Sequence, residues 1–211
     1  NFEEKNKNHM YIFQNKDLKK KLDKMISSTN KIKLIKKNIE IINNKEGFIM
    51  IRKKKKFYDL IILSIGGRSK LYSTIDEGRS IEKNYEELAL TAVVKHNAKI
   101  ENASQFFLNE GPLAILPFQK KTFSAVWSVS NKFYYSNKEN IKKILSEKLR
   151  SLLKAKSIKN IINIQSYPIN LNLKTKYFKK NVLILGDGLH AVHPMAGQGF
   201  HLVLRDIKKI N

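Results

Sequence analysis

Apolar residues recur along the chain at two spacings, and these divide it into segments of different kind. Between residues 16 and 28, Leu18, Leu22, Met25 and Ile26 repeat at helical spacing and predict a short helix. Residues 39–43, 47–52 and 57–64 read as strands. Asn43-Asn44-Lys45-Glu46-Gly47 supplies turn chemistry between the first two. From Phe57 to Leu63 the third is nearly continuous in apolar residues, which suits a strand buried on both faces, as in a parallel sheet. The Arg52–Lys56 run before it reads as a solvated hairpin tip.

A different texture follows. Residues 87–96, 103–108, 113–118 and 122–130 are successive strand-like runs joined by short connectors, which predicts an antiparallel sheet. Residues 139–155 carry the clearest helical stripe, formed by Ile141, Ile144, Leu145, Leu149, Leu152 and Leu153. Another strand is expected near 160–167. Val182-Leu183-Ile184-Leu185 reads as a buried strand running into Gly186-Asp187-Gly188, a His-Pro and Gly-rich loop, and a helix from about Phe200.

Composition narrows the class. No apolar run approaches the roughly 20 residues that a membrane-spanning helix needs. The first residues, Asn-Phe-Glu-Glu-Lys, are not a signal peptide, and without an initiating Met an upstream start is expected to have been lost. The absence of cysteine excludes disulfides and thiolate metal sites and fits a reducing compartment. The net charge of +23 comes from 41 basic and 18 acidic residues. An anionic partner is one reading. The other is lysine drift, because Lys, Ile and Asn are abundant together and the lysines are scattered. Lys also far outnumbers Arg, whose forked guanidinium suits base and phosphate recognition. No nucleic-acid partner is expected.

The chemistry concentrates after Leu185. A strand end followed by an Asp and a Gly-X-Gly before a helix sets backbone N–H groups at a positive helix terminus, suited to an anion or an electron-rich carbonyl. Asp187 can accept hydrogen bonds from a sugar hydroxyl, as acidic residues do in dinucleotide folds. Gly197 and Gly199 let backbone approach a flat ligand, and Pro194 stiffens the loop. His190 and His193 are spaced for one helix face, but no neighbouring carboxylate or Cys completes a metal set. From spacing alone a cofactor loop and a structural loop stay equally open.

The full string from Leu185 to Gly199 (Leu-Gly-Asp-Gly-Leu-His-Ala-Val-His-Pro-Met-Ala-Gly-Gln-Gly) closely resembles the second flavin motif of the class A flavoprotein monooxygenases. Its His-Pro followed by Ala-Gly-Gln-Gly looks most like the ubiquinone-biosynthesis hydroxylases. Tyr11–Leu18 resembles the opening of that family's long helix, and Tyr58–Ser69 its middle motif. Glu110–Phe118 with Ser124–Ser128 resembles two substrate-domain strands.

The resemblance implies FAD as cofactor and NAD(P)H as co-substrate. Asp187, following Gly186, would bind the ribityl or pyrophosphate part. Pro194, Gly197, Gln198 and Gly199 would line the isoalloxazine ring, and Pro112 and Pro117 would lie on its substrate side. No side chain is nominated as catalytic, because in such enzymes the cofactor carries the chemistry and the protein positions it. The implied substrate is a prenylated phenol or quinone precursor, in a cytoplasmic protein docked peripherally on the inner membrane beside other quinone-pathway proteins. The implied fold is α/β with an α+β insertion. It comprises a partial Rossmann-type FAD-binding domain in residues 1–71 and 171–211 and an antiparallel-sheet substrate domain in residues 72–170.

Three departures qualify this. Nothing before Tyr11 can form the family's N-terminal Gly-X-Gly-X-X-Gly unit, so the chain is expected to be a fragment, inactive alone. Ile65 of Ile65-Gly66-Gly67-Arg68-Ser69 stands where the middle motif, Asp-Gly-X-X-Ser, has its carboxylate. A missing charged hydrogen bond there would cost roughly 1.5–3 kcal/mol, about one to two orders of magnitude in affinity. His201 and Val203 replace the Asn and small residue usual after the Gly-Gln-Gly turn. A related hydroxylase of another aromatic compound and a non-catalytic remnant are therefore the rival readings.

Overall fold

The computed structural model describes residues 12–66, 69, 71–72, 80–153, 158–192 and 198–210. These fall into two compact units, one within 1–34 and 88–167, the other within 35–87 and 168–211.

In the first unit, α1 (Asn15–Ser27) places Asp17 in its first turn and Lys24 in its last, as the helix dipole favours. Its apolar stripe is not buried. The body of the unit is an antiparallel sheet. β6 (Ser104–Leu108), β7 (Gly111–Gln119) and β8 (Thr122–Ser130) form a meander, with Leu113 opposite Trp127 and Ile115 opposite Ala125. β5 (Ser80–His96) and β9 (Ile158–Lys174), of which residues 88–96 and 158–167 belong to this unit, extend it in the order β9-β5-β8-β7-β6. Period-two alternation sends one face of each strand inward. Against that face lies α3 (Ile141–Leu152), whose Ile141, Leu145 and Leu149 join Val94, Ile115, Phe123 and Trp127 in one buried cluster.

Two features of these elements went unforeseen. A short helix, α2 (Asn131–Ser136), begins directly after β8, because the Ser130 hydroxyl accepts the Phe133 N–H at 3.1 Å and caps it. The strand expected at 160–167 runs from 158 to 174, and that expected at 87–96 begins at 80. The extra residues of β5 are mostly exposed and lack an apolar pattern. Glu86, left-handed at φ 54°, marks where the exposed stretch gives way to the buried one.

The second unit holds two small sheets. β1 (Ile41–Asn43), β2 (Phe48–Ile51) and β3 (Lys54–Phe57) form an antiparallel meander. Asn43 closes the first turn, its Oδ1 accepting the N–H groups of Lys45 and Glu46. The solvated tip expected over 52–56 is shorter. Only Arg52 and Lys53 turn, both left-handed (φ 49° and 59°), and Lys54–Lys56 belong to β3. An edge strand tolerates lysines because its backbone pairs while its side chains stay in water.

The other sheet has the order β10-β11-β4, from β10 (Phe178–Lys179), β11 (Val182–Ile184) and β4 (Ile61–Leu63). β4 and β11 are parallel, with Ile61 opposite Val182 and Leu63 opposite Ile184. The expectation that 57–64 is one strand buried on both faces does not hold. Phe57 closes β3, and within β4 Ile61 and Leu63 are buried whereas Ile62 is 47% exposed. The buried side meets Ile42, Tyr72 and Leu189.

Candidate functional site

Parallel pairing makes β4 and β11 leave their sheet at the same edge. The pairing runs one step further, where Leu185 N–H donates to Leu63 O at 2.9 Å. The carboxyl edge of parallel strands is where open α/β sheets hold ligands.

Gly186 follows in the left-handed region at φ 75°, a conformation that favours glycine. A single 3-10 turn over 186–188 closes with Leu189 N–H donating to Gly186 O at 2.8 Å. This turn buries Gly186 and Gly188 and leaves Asp187 between them exposed. Gly188 lacks a Cβ at a point where one would collide with the Tyr72 hydroxyl. Tyr72 is 4% exposed, and its Oη has no hydrogen-bond partner among the described residues. Burial holds this phenol above its ordinary pKa; the Ile65 backbone opposes the rise, and the Asp187 charge adds to it.

The chain then forms β12 (His190–Ala191), which pairs antiparallel with β9 through Leu173 and Asn172. α4 (Gln198–Ile210) follows. The helix expected from Phe200 begins two residues earlier, so Gln198 and Gly199 form its first turn, where backbone N–H groups have no partner within the helix. No acidic residue stands in that turn, whereas Lys208 and Lys209 occupy the last. The positive end of the helix dipole is thus left without a neutralising side chain of its own. His190 Nε2 lies 3.0 Å from Asp206 Oδ2 and joins β12 to α4. Gln198 shares a hollow of about 210 Å³ with His201, Leu202 and Arg205.

Of the expected flavin-side residues, the structure gathers Gly186, Asp187, Gln198 and Gly199 within the second unit. Pro194 and Gly197 lie outside the described residues, as does His193. Pro112 and Pro117 stand on β7 of the first unit, Pro117 at a β-bulge. Ile65 is 40% exposed beyond the end of β4. No cluster of three metal-ligating side chains occurs among the described residues. Sequence reasoning missed Tyr72 and Asp206. Neither belongs to a motif, and each meets its neighbour only once the sheet and α4 are assembled.

A family model described as "FAD binding domain" matches residues 64–210. Among curated proteins, ubiquinone biosynthesis monooxygenase COQ6 of Xenopus tropicalis is 24% identical over 190 residues, covering 72% of this chain and 41% of that protein. Ubiquinone hydroxylase UbiL of Rhodospirillum rubrum is 26% identical over 156 residues, covering 70% of this chain and 35% of that protein. 3-Demethoxyubiquinol 3-hydroxylase of Escherichia coli is 24% identical over 149 residues, covering 70% and 38%. The chain therefore spans about two-fifths of the length of such relatives. Among solved structures, PqsL of Pseudomonas aeruginosa matches with a TM-score of 0.72 at 17% identity, over 90% of this chain and 57% of that one. The flavin-dependent brominase Bmp2 matches with a TM-score of 0.72 at 11% identity, over 90% of this chain and 52% of that one. These likenesses show a shared fold.

Proposed function

The chain belongs to the FAD-binding-domain family, and from that premise we propose that it is the flavin-side portion of an FAD-dependent monooxygenase acting on an aromatic ring. One observation carries the reading. The carboxyl ends of parallel β4 and β11 come together with an exposed Asp187 and a left-handed Gly186, and the same unit contains a helix whose first turn holds no acid.

These residues fit a flavin dinucleotide. Asp187 offers acceptor oxygens to the hydroxyls of a ribityl or sugar chain. Gly186 lets the backbone turn away from the strand end without a side chain in the way. The N–H groups at the start of α4, aimed at a flavin carbonyl, would favour negative charge on the reduced ring. When bound, the flavin supplies the redox and oxygen chemistry, and NAD(P)H serves as reductant. We assign Gly186, Asp187, Pro194, Gly197, Gln198 and Gly199 to its cofactor side, and Pro112 and Pro117 to its substrate side.

The proposed substrate is a prenylated phenol or quinone precursor, a reading supported by the names of the curated relatives. No helix among the described residues is long and apolar enough to cross a membrane. The +23 charge supports peripheral docking on an anionic surface, where so greasy a substrate resides. Co-sedimentation with anionic vesicles that ignores salt would remove that part of the proposal.

The deciding experiment is the visible spectrum and FAD stoichiometry of the purified protein. Substrate-stimulated NAD(P)H oxidation with a prenylated phenol, set beside soluble phenols, follows it. Bound flavin with stimulation by the prenylated ring supports the reading; preference for a soluble phenol moves it to another aromatic substrate. A folded, colourless protein that FAD cannot reconstitute favours the second reading, a non-catalytic remnant. That reading is motivated by the missing carboxylate at exposed Ile65.

A further inference from the structure

We propose that the Tyr72 hydroxyl is a cofactor-binding group, donating a hydrogen bond to an oxygen of the ribityl–diphosphate chain. The inference rests on the flavin reading above and adds to it a residue outside every motif of the sequence.

The argument starts from an unmade bond. A buried hydroxyl without a partner loses its hydrogen bonds to water and gains nothing in return. Buried tyrosines ordinarily aim the hydroxyl at an acceptor. Tyr72 does not, although its ring packs with Ile42, Leu63, Val182 and Ile184, a role that phenylalanine would fill equally well. The hydroxyl therefore calls for a partner that the described residues do not supply.

Its position says what the partner is. Tyr72 Oη lies against Gly188, and it feels both the Ile65 backbone and the Asp187 charge. Ile65 and Asp187 are both exposed, so the hydroxyl adjoins residues that a ligand at the strand ends would touch. Ionised Asp187 can only accept hydrogen bonds, whereas a neutral phenol donates one. Burial, reinforced by the Asp187 charge, keeps the phenol protonated at neutral pH. A chain of hydroxyls joined to a diphosphate presents donors to Asp187 and acceptor oxygens to Tyr72. Glycine at 188 is what allows the ring to reach this place.

The test titrates FAD, FMN and riboflavin into the full 211-residue chain by fluorescence quenching, with thermal melts taken in the absence of flavin. Tyr72→Phe is expected to melt no lower than the parent chain, because it deletes an unpaired hydroxyl, yet to bind FAD about tenfold more weakly. Weakening toward FAD and FMN but not riboflavin identifies a phosphate oxygen as acceptor. Equal weakening toward all three identifies a ribityl oxygen. Ile65→Asp provides a second measurement: in that background the penalty of Tyr72→Phe should persist, because a carboxylate accepts hydrogen bonds and cannot replace the one the phenol donates. Unchanged FAD affinity in Tyr72→Phe, with Asp187→Ala weakened, overturns this inference and leaves the flavin reading standing. A parent chain that quenches none of the three overturns both.

Discussion

His190 Nε2 and Asp206 Oδ2 meet at 3.0 Å, joining the two-residue strand that follows the Gly-Asp-Gly turn to the helix that starts at Gln198. Both side chains are largely shielded from solvent, and their contact links α4 to β12. Asp206→Ala and His190→Ala should each lower the unfolding free energy by about 0.5–1 kcal/mol, the range of a partly exposed ion pair. The double variant should cost well under the sum. Urea denaturation of the four chains checks this, and strict additivity would mean the two side chains act independently.

Gly188 and Tyr72 share one space. Gly188→Ala should destabilise the second unit by about 1–3 kcal/mol through overpacking. Tyr72→Leu, which shortens the obstructing side chain, should relieve most of the alanine's cost. Chemical denaturation of the single and double variants reads both effects. A neutral Gly188→Ala would show that the tyrosine ring moves aside without penalty.

Glu110, at the tip between β6 and β7, accepts a hydrogen bond from Lys148 of α3 at 2.6 Å, and this bond holds its carboxyl below the usual range. A carboxyl depressed in the folded chain stabilises it above the ordinary carboxylate pKa. That contribution disappears as pH falls through the depressed folded value. Glu110→Gln should therefore cost about 0.5–1 kcal/mol near neutral pH, the range expected for a partly exposed pair. The difference from the parent chain should close in acid. Melting curves between neutral and strongly acidic pH test the sign.

Ile65→Asp should tighten FAD binding by about ten- to a hundredfold, provided the restored carboxylate reaches a cofactor hydroxyl. Fluorescence titration gives the number directly. An unchanged affinity would mean that the strand end after β4 does not contact the dinucleotide.

The elements most legible in the sequence were those whose apolar spacing matches their burial. α3 reads cleanly because Ile141, Leu145 and Leu149 all face the sheet. β8 reads cleanly because Phe123, Ala125 and Trp127 alternate along the sequence and are buried in the same order. Legibility failed where local pattern and partner disagree. Lys54–Lys56 look like a solvated loop, yet pairing with Phe48–Ile51 makes them a strand. Ile62 looks like core, yet the sheet presents that face outward. The candidate site divides the same way. Gly186 and Asp187 stand in a readable string, whereas Tyr72 and Asp206 join their neighbours only through tertiary contacts.

The parallel pair of β4 and β11 also dictates an order of events. Residues 61–63 meet residues 182–184 only after the whole antiparallel sheet between them has been synthesised. Contacts so distant in sequence are slow to form, because loop closure costs entropy before pairing repays it. The local meander and α3 can settle early, while the Gly186 turn must wait for both strands. Among the described elements, those proposed to grip the cofactor thus depend on the most distant strand pairing, and cofactor present during synthesis would act on folding yield as well as on the finished protein.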